Sequence, residues 1–495
     1  MNFLRNLPNL LLGCLLTLLQ MNYGLLQVKA EAPVGQPEDE LYYPFTKASA
    51  QIPKEEVIGI CVKKDHVVYF GSQGVSDYVY YMESFTRNND FSEIDFFKQY
   101  PKLASVEING LKLTRDMLEN LQKFLPTTLK NFMVDFCDIK HDDIELLADV
   151  IRKHEQLTSV RIKAPGSSPE ESDVILSGLK DHLKMTSLSL TFGELSPGGV
   201  DHLISIMEGS DETLEGLYLA WGNIVSTSGE KIDKDDVYKK LADAFDRTKK
   251  LKSLEFSSLY ISEPASAVIF KAIGQLRLLK ELKIFFDNLN SHDSIKLFES
   301  MEVLRDSLKE LPDLESLDIS NLRLHGNEVQ VLMQAVASTP KLKHLNISGN
   351  TLDVKGAEIL SDGVKENNSL MTLMANSCTI TADVFKSLCK SLANSSLEHL
   401  YVSDNEIKDA AKDLPIDTMQ DMLVIDFSKN NMNYDDAMAF VEKTKGHMRL
   451  RIVNFKNNSG INAMSNTEKT IRDDQLVEWK IKNYVDEHQV QFFGL

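Results

Sequence analysis

Residues 342–352 read LKHLNISGNTL, and this string sets the interpretation of the whole chain. Apolar side chains fall at positions 1, 4, 6 and 11 of the string, and asparagine falls at position 9. Leu345 and Ile347, at positions 4 and 6, alternate with polar residues and predict a short strand with one buried face. At position 9, Asn350 is expected in a turn, where a buried side chain bonds the backbone of neighbouring coils.

Similar strings recur along most of the chain, which indicates a repeat array. Their first apolar residues are Leu103, Leu129, Leu157, Met185, Leu214, Leu251, Leu279, Leu314, Leu342, Leu370, Leu397, Met422 and Leu450. The commonest step between starts is 28 residues, and two steps are much longer, 37 after Leu214 and 35 after Leu279. Apolar residues at helical spacing follow position 11, for example in residues 354–364. Each unit is therefore predicted as strand, turn, helix and return, and stacking buries its apolar face.

The units resemble leucine-rich repeats, and the 28-residue period with a full helix is similar to the ribonuclease-inhibitor-like subclass. The resemblance covers about residues 103–460. It implies an α/β solenoid shaped as a horseshoe, with a parallel β-sheet on the concave face and helices on the convex face. It also implies non-covalent binding as the activity, without identifying the partner.

The first thirty residues have the layout of a signal peptide. Arg5 precedes the mostly apolar run Leu7–Leu19, and Val28-Lys29-Ala30 places small residues where a signal peptidase cleaves. Two alternatives stay open: residues 7–28 retained as a membrane anchor, or a lipoprotein signal at Cys14. Cleavage after Ala30 predicts a protein that is secreted or faces the cell envelope.

The remaining chain divides into three parts. Residues 31–102 are predicted as a linker and an N-terminal cap, with a hairpin in residues 55–70 and a divergent first repeat from Val75. Residues 103–461 form the array of about 13 repeats, and residues 462–495 form a C-terminal cap. The longer step after Leu214 predicts an insertion within residues 226–236.

The composition excludes several classes of function. Lys and Arg total 54 and Asp and Glu total 73 in 495 residues, a net charge of −19, which argues against nucleic-acid binding. The sequence contains no phosphate-binding loop, zinc-protease motif, nucleophile elbow or calcium loop. We therefore expect no enzyme activity, no cofactor and no metal site. Cys137, at position 9 of its unit, is expected to pack as a small apolar group rather than to act as a nucleophile.

Candidate binding residues lie on and beside the strands. Aromatic residues occupy position 8 in several units, and stacking would bring some of them to one rim of the sheet: Phe136, Phe192, Trp221 and Phe286, with Tyr218 on a neighbouring strand position. The alternative is that position 8 turns inward and these rings fill the core. Met374 and Tyr401, at position 5 of successive units, form a second possible patch.

The sequence thus predicts an exported, non-enzymatic repeat protein that binds a protein partner on its concave face, as a receptor, an inhibitor or an effector. Association with a membrane is expected only if residues 7–28 are retained. A membrane-anchored receptor, or an enzyme with a small catalytic module at one terminus, is the alternative.

Overall fold

The structure is a computed structural model, and it describes residues 46–47, 57–62, 66–73, 77–84, 97–258, 261–285, 298–322, 324, 326–337, 339–366, 369–390, 392–393, 395–444, 447–458 and 491–493. The chain divides into two compact units, residues 1–232 and residues 233–495, called unit 1 and unit 2. The boundary falls inside the insertion predicted at residues 226–236. The predicted signal peptide lies outside the described residues.

Unit 1 has eleven described strands, of which nine belong to one sheet and two form a small separate pair. Its strands are β1 (Thr46–Lys47), β2 (Val57–Val62), β3 (His66–Gln73), β4 (Asp77–Ser84), β5 (Ser105–Asn109), β6 (Lys112–Leu113), β7 (Asn131–Asp135), β8 (Asp138–Ile139), β9 (Ser159–Ala164), β10 (Ser187–Leu195) and β11 (Gly216–Ile224). Strands β2, β5, β7, β9, β10 and β11 pair in parallel in that order, while β6 and β8 pair separately. This parallel order is the one the repeat pattern predicts.

The N-terminal cap differs from the prediction at one point. The hairpin in residues 55–70 is present, because β2 and β3 pair antiparallel. The divergent repeat predicted from Val75 is wrong, since β4 pairs antiparallel with β3 instead of joining the parallel row. Only residues 74–76 separate β3 from β4, and so short a connection permits an antiparallel pair but no crossover to a parallel one. The strand that precedes the array in the parallel row is β2.

Helices of unit 1 follow the strands as the period predicts. They are α1 (Arg115–Phe124), α2 (Ile144–Lys153), α3 (Pro169–Leu179) and α4 (Pro197–Gly209). Thr114, Ser168 and Ser196 cap three of them by accepting a hydrogen bond from a backbone amide of the first turn. Pro169 and Pro197 occupy the first helical position, where a missing N–H costs nothing. These local signals fix where each helix begins.

Unit 2 repeats the same alternation with shorter strands. Its strands are β12 (Ser253–Ser258), β13 (Glu281–Phe285), β14 (Ser316–Asp318), β15 (His344–Asn346), β16 (Thr372–Met374), β17 (His399–Tyr401), β18 (Val424–Asp426), β19 (Ile452–Asn454) and β20 (Gln491–Phe493). Each is parallel to the next. Its helices are α5 (Lys234–Phe245), α6 (Glu263–Ile273), α7 (Phe298–Lys309), α8 (Asn327–Ala337), α9 (Val354–Glu366), α10 (Ala382–Cys389) and α11 (Tyr434–Lys443).

The core of each unit lies between the strands and the helices. In unit 2 the middle residue of each three-residue strand from β14 to β19 points inward and is at most 1% exposed, as at Leu345, Leu400 and Val453. Within the predicted C-terminal cap, residues 491–493 pair with β19 and continue the sheet beyond the last repeat strand. In the part of the chain that the structure describes, every helix is too short or too polar to cross a membrane.

Candidate protein-binding face

Phe192 and Trp221 point into the core of unit 1, so the prediction that they form an exposed rim is wrong. Each side chain is only 3% exposed. The two residues are register partners on β10 and β11. Tyr218 lies at an odd strand position and Trp221 at an even one, so their side chains leave opposite faces of the sheet. The inward alternative describes these rings, and they stabilise the core.

The length of the strands explains this orientation. Strands β10 and β11 each run for nine residues, so position 8 keeps the parity of the buried positions 4 and 6. Gly193 follows Phe192, and a Cβ atom there would lie 2.6 Å from the carbonyl oxygen of Ser167. The glycine therefore lets the extended strand pass close to the neighbouring turn. Phe286 lies outside the described residues, and Tyr218 is half-buried.

In eight other repeats the chain turns at position 8 instead of staying extended. The backbone takes a positive φ at that position in eight units: Gly110, Phe136, Asn321, Gly349, Ser377, Asp404, Lys429 and Asn457. The left-handed residue ends the strand and turns its side chain away from the core. Phe136 is consequently 59% exposed, and the ammonium of Lys163 lies 5.8 Å from its ring centroid.

A sequence signal for this difference exists at position 9. Cys137 follows Phe136, whereas glycine follows Phe192 and Trp221. Asparagine or cysteine at position 9 accompanies the left-handed turn in the units at Leu129, Leu342, Leu370, Leu397, Met422 and Leu450. Among the described aromatic residues at position 8 of unit 1, Phe136 is the exposed one, and the residue at position 9 distinguishes it from Phe192 and Trp221.

Buried charges occupy the sheet face of unit 1 that points away from the helices. Arg161, 3% exposed, donates through Nε to Asp135 at 3.0 Å and lies 3.0 Å from an oxygen of Glu107. Met133 and Ser189, at position 5 of the flanking units like Arg161, are each 5% exposed. Because these central side chains are buried, this part of the face presents little surface to a partner.

In unit 2 the turn residues at position 9 form a hydrogen-bonded ladder, as the sequence predicts. The Oδ1 atom of Asn405 accepts bonds from the amides of Cys378 and Ile380, both at 2.9 Å. Its Nδ2 atom donates to the carbonyl oxygens of Ala375 and Val402, also at 2.9 Å. Similar bonds are made by three other residues, Asn350, Asn430 and Asn458. One buried amide thus satisfies backbone groups of two successive repeats.

A second row of structural polar residues runs along position 5 of unit 2. In four repeats the Oδ1 atom of an aspartate or asparagine accepts a bond of 2.8–3.0 Å from the backbone amide two residues later. The four residues are Asp318, Asn346, Asp426 and Asn454. This local Asx turn completes the end of each three-residue strand. Position 5 therefore has a structural task in these repeats.

Met374 and Tyr401 interrupt that row in two adjacent repeats. Neither side chain offers the carboxyl or amide oxygen that accepts this bond. The amide of Asn376 instead donates to Oγ of Ser348 at 3.1 Å, and the amide of Ser403 donates to Oδ1 of Asn376 at 2.8 Å. Side chains of the preceding repeat thus accept the hydrogen bonds from these two amides. Met374 and Tyr401 are therefore not needed as acceptors at position 5.

Met374 and Tyr401 are register partners on β16 and β17, and both are partly exposed. Val424 and Ile452, at position 3 of the next two repeats, are partly exposed on the same face. We call these four residues the Met374–Tyr401 patch. It combines apolar surface with one phenol, a combination that is common in the central contacts of protein interfaces. The patch includes Met374 and Tyr401, the second of the two candidate sites that the sequence suggested.

Neither cysteine at position 9 has the properties of a nucleophile. The Sγ atom of Cys378 lies 3.3 Å from the carbonyl oxygens of Ile347 and Asn376, and Cys137 makes longer contacts of the same kind. Burial raises the pKa of both thiols to about 11. Within the described ranges, histidine, cysteine and acidic residues form no group of three that could hold a metal ion.

Comparison with known proteins agrees with this geometry. A family model described as Leucine Rich repeat matches residues 339–361 and 393–411, both in unit 2. The chain is 27% identical to the ribonuclease inhibitor of Mus musculus over 283 residues, covering 56% of this chain and 58% of the inhibitor. It is 25% identical to the ribonuclease inhibitor of Sus scrofa over 258 residues, covering 52% of this chain and 47% of the inhibitor.

A third relative is NACHT, LRR and PYD domains-containing protein 4C of Mus musculus, 24% identical over 304 residues, or 55% of this chain and 27% of that protein. The chain thus spans about half the length of the inhibitors and about a quarter of this larger relative. Parallel strands and helices alternate in both units, which is the α/β architecture of stacked leucine-rich repeats. The repeats are similar to those of the ribonuclease inhibitors.

Proposed function

We propose that this protein is an exported, non-enzymatic leucine-rich repeat protein that binds a protein partner at the Met374–Tyr401 patch. Leucine-rich repeat proteins commonly use the surface of their stacked repeats for binding. The observation that carries the proposal is the replacement of structural Asx residues by a methionine and a tyrosine in two adjacent repeats. Two large side chains that replace structural Asx residues and lie partly exposed next to each other are best explained by a contact outside the fold.

The sharpest test restores the interrupted row. In the variant Met374→Asn/Tyr401→Asn, each asparagine can accept the local amide bond that Asn346 and Asn454 accept in their own repeats. The free energy of unfolding should therefore change by less than about 1 kcal/mol. Binding should weaken by roughly 100-fold or more, because each lost contact at the centre of an interface costs about 2 kcal/mol.

The matched control is Asp318→Asn/Asp426→Asn, which keeps the Asx geometry on the same face. Proteins captured by the wild-type chain are purified and their affinities measured by calorimetry against all three forms. Support requires direct binding that the patch variant loses and the control keeps. A partner held equally by the patch variant contradicts the proposed site.

Ribonuclease is the first purified protein to test, because the relatives from Mus musculus and Sus scrofa are ribonuclease inhibitors. A micromolar concentration of this protein should inhibit a purified secreted ribonuclease if ribonucleases are the partner class. The patch variant should then fail to inhibit it. Full ribonuclease activity at that concentration would exclude this partner class and leave other protein partners open.

Export is tested separately. The layout of residues 1–30 supports a cleaved signal, which would leave Glu31 as the first residue of the mature protein. The full chain is expressed in a secretory host, and the N-terminus of the released protein is sequenced. Retention of the intact chain in the membrane fraction would favour the anchored receptor, and recovery from the cytosol alone would contradict export.

A further inference from the structure

Two histidines of unit 2 share one hydroxyl group on the face that carries the patch. His344, Thr372 and His399 are register partners on β15, β16 and β17. Nδ1 of His344 lies 3.0 Å from Oγ1 of Thr372, and Nδ1 of His399 lies 3.5 Å from the same atom. The ring of His399 is parallel to that of Tyr401, with the ring centroids 6.4 Å apart. His399 therefore lies directly beside the Met374–Tyr401 patch.

The shared hydroxyl favours neutral rings. A threonine hydroxyl can donate one hydrogen and accept others, so it can donate to Nδ1 of one imidazole and accept from Nδ1–H of the other. When both rings are protonated, both Nδ1 atoms carry hydrogens and the donated bond to a ring is lost. Two positive charges then face each other across a single side chain. The second proton is thus harder to bind than the first.

Charged groups around the pair do not offset this cost. The titratable side chains on the packed strands and the adjoining loop are Glu315, Asp318, Lys343, Glu398, Asp426 and Arg449. Glu315 lies 2.6 Å from the ammonium of Lys343 and 3.6 Å from that of Lys280. Glu398 lies 3.7 Å from the guanidinium of Arg449. The two nearest glutamates are therefore already paired with cations.

The pKa values of both histidines agree with this arrangement. Loss of hydration lowers the pKa of His344, and the positive charges of His399 and Lys343 lower it further, against the opposing effect of Glu315 and Glu398. Loss of hydration also lowers the pKa of His399, with Glu398 opposing. The lowered pKa values favour the neutral form of both rings at pH 7.

We infer that His344, Thr372 and His399 form a proton switch that releases a protein partner from the Met374–Tyr401 patch as the pH falls into the range in which histidine is protonated. This inference rests on the proposed function. A partner seated on Tyr401 removes water from the adjacent ring of His399, which a neutral imidazole tolerates and an imidazolium does not. The bound state then has lower histidine pKa values than the unbound state, so protons favour the unbound state.

The first experiment needs no partner. Ring nitrogens of the full-length chain are followed by NMR between pH 4.5 and 8, with the urea-unfolded chain as the reference. His344 and His399 should titrate below their unfolded values and in coupled steps, and Thr372→Val should change the coupling. Two independent titrations at the unfolded values, unaffected by Thr372→Val, would overturn the proton pair.

The second experiment measures the affinity of the purified partner that passes the patch-variant test. The dissociation constant should be about tenfold larger at pH 5.5 than at pH 7.5, as expected for two linked protons. His344→Gln/His399→Gln should reduce this ratio to below about twofold, since glutamine stays neutral. Equal or tighter binding at pH 5.5, or the same loss in the glutamine variant, would overturn the release.

The two failures are distinguishable. If no protein passes the patch-variant test, the proposed function fails and the release step fails with it. The titration still decides whether the two histidines share their protons. If a partner binds at the patch with no dependence on pH, the proposed function stands and the switch alone is wrong.

Discussion

Both units carry the same repeat, but the long strands β10 and β11 of unit 1 end differently from the three-residue strands of unit 2. In unit 1, β10 and β11 stay extended through position 8 and bury Phe192 and Trp221. In unit 2, three-residue strands end before a left-handed residue at position 8, and an asparagine ladder closes the turn. The difference shows that a repeat position has no fixed direction. Whether its side chain faces the core or the solvent depends on how far the strand continues.

The open faces differ in the same way. Unit 1 buries Arg161 between two carboxylates, whereas the ion pairs on the face of unit 2, such as Lys343 with Glu315, are partly exposed. Replacing a charged side chain on the face of unit 2 should therefore cost the fold less than replacing Arg161 in unit 1. The face of unit 2 is where the methionine and the tyrosine occur.

The largest effect should come from substituting a buried and an exposed aromatic residue at position 8. Trp221→Ala should lower the free energy of unfolding by about 4 kcal/mol, because it leaves a cavity under β11. Phe136→Gly should instead raise it by about 1 kcal/mol, since Phe136 has a φ of 53° that glycine adopts without strain. Urea denaturation followed by hydrogen exchange within each unit measures both. Equal destabilisation by the two changes would contradict the distinction.

Breaking the ladder should affect unit 2 alone. Asn405→Ala leaves buried amides and carbonyls of two repeats without their partner, at a cost of about 3 kcal/mol. The matched control is Cys378→Asn, which places an asparagine at another position 9, where the thiol lies 3.3 Å from the carbonyl oxygens of Ile347 and Asn376. This variant should change the free energy of unfolding by less than about 1 kcal/mol. Hydrogen exchange at the amides of Cys378 and Ile380 reports the change. Protection that survives Asn405→Ala would show that the ladder is dispensable.

Removing one cation from each open face should sharpen the comparison. Arg161→Met strands the carboxylates of Asp135 and Glu107 in a buried site and should cost about 3 kcal/mol. Lys343→Met removes a partly exposed pair and should cost less than about 1 kcal/mol. Denaturation of the two variants under the same salt conditions compares them. Similar losses would mean that the faces are equally exposed in solution.

The smallest contrast concerns the two thiols at position 9. A pKa of about 11 instead of 9.0 lowers the thiolate fraction at pH 8 by about 100-fold, so Cys137 and Cys378 should alkylate slowly in the folded chain. The rate should rise with pH until the pH passes the pKa. Half-buried Cys137 should react before buried Cys378, which mass spectrometry after timed alkylation would reveal. Faster labelling of Cys378 would indicate local opening of the ladder.

Much of the molecule followed from local pattern in the sequence. The period of 28 residues predicted the strand and helix order, and asparagine at position 9 predicted the ladder, because both depend on neighbours at a fixed separation in the chain. The same pattern brought Met374 and Tyr401 together on one face, since a parallel register aligns equal positions of successive repeats. The charge and the missing motifs led us to expect binding rather than catalysis.

Tertiary structure decided three features. Phe192 and Trp221 face the core because their strands stay extended beside the neighbouring turn, where a Cβ atom at Gly193 would lie 2.6 Å from the carbonyl oxygen of Ser167. The antiparallel path of β4 depends on its pairing with β3 rather than on repeat spacing. The shared bond of His344 and His399 to Thr372 depends on three strands being in register, so the chemistry of that face arises from residues that are distant in sequence and adjacent only after stacking.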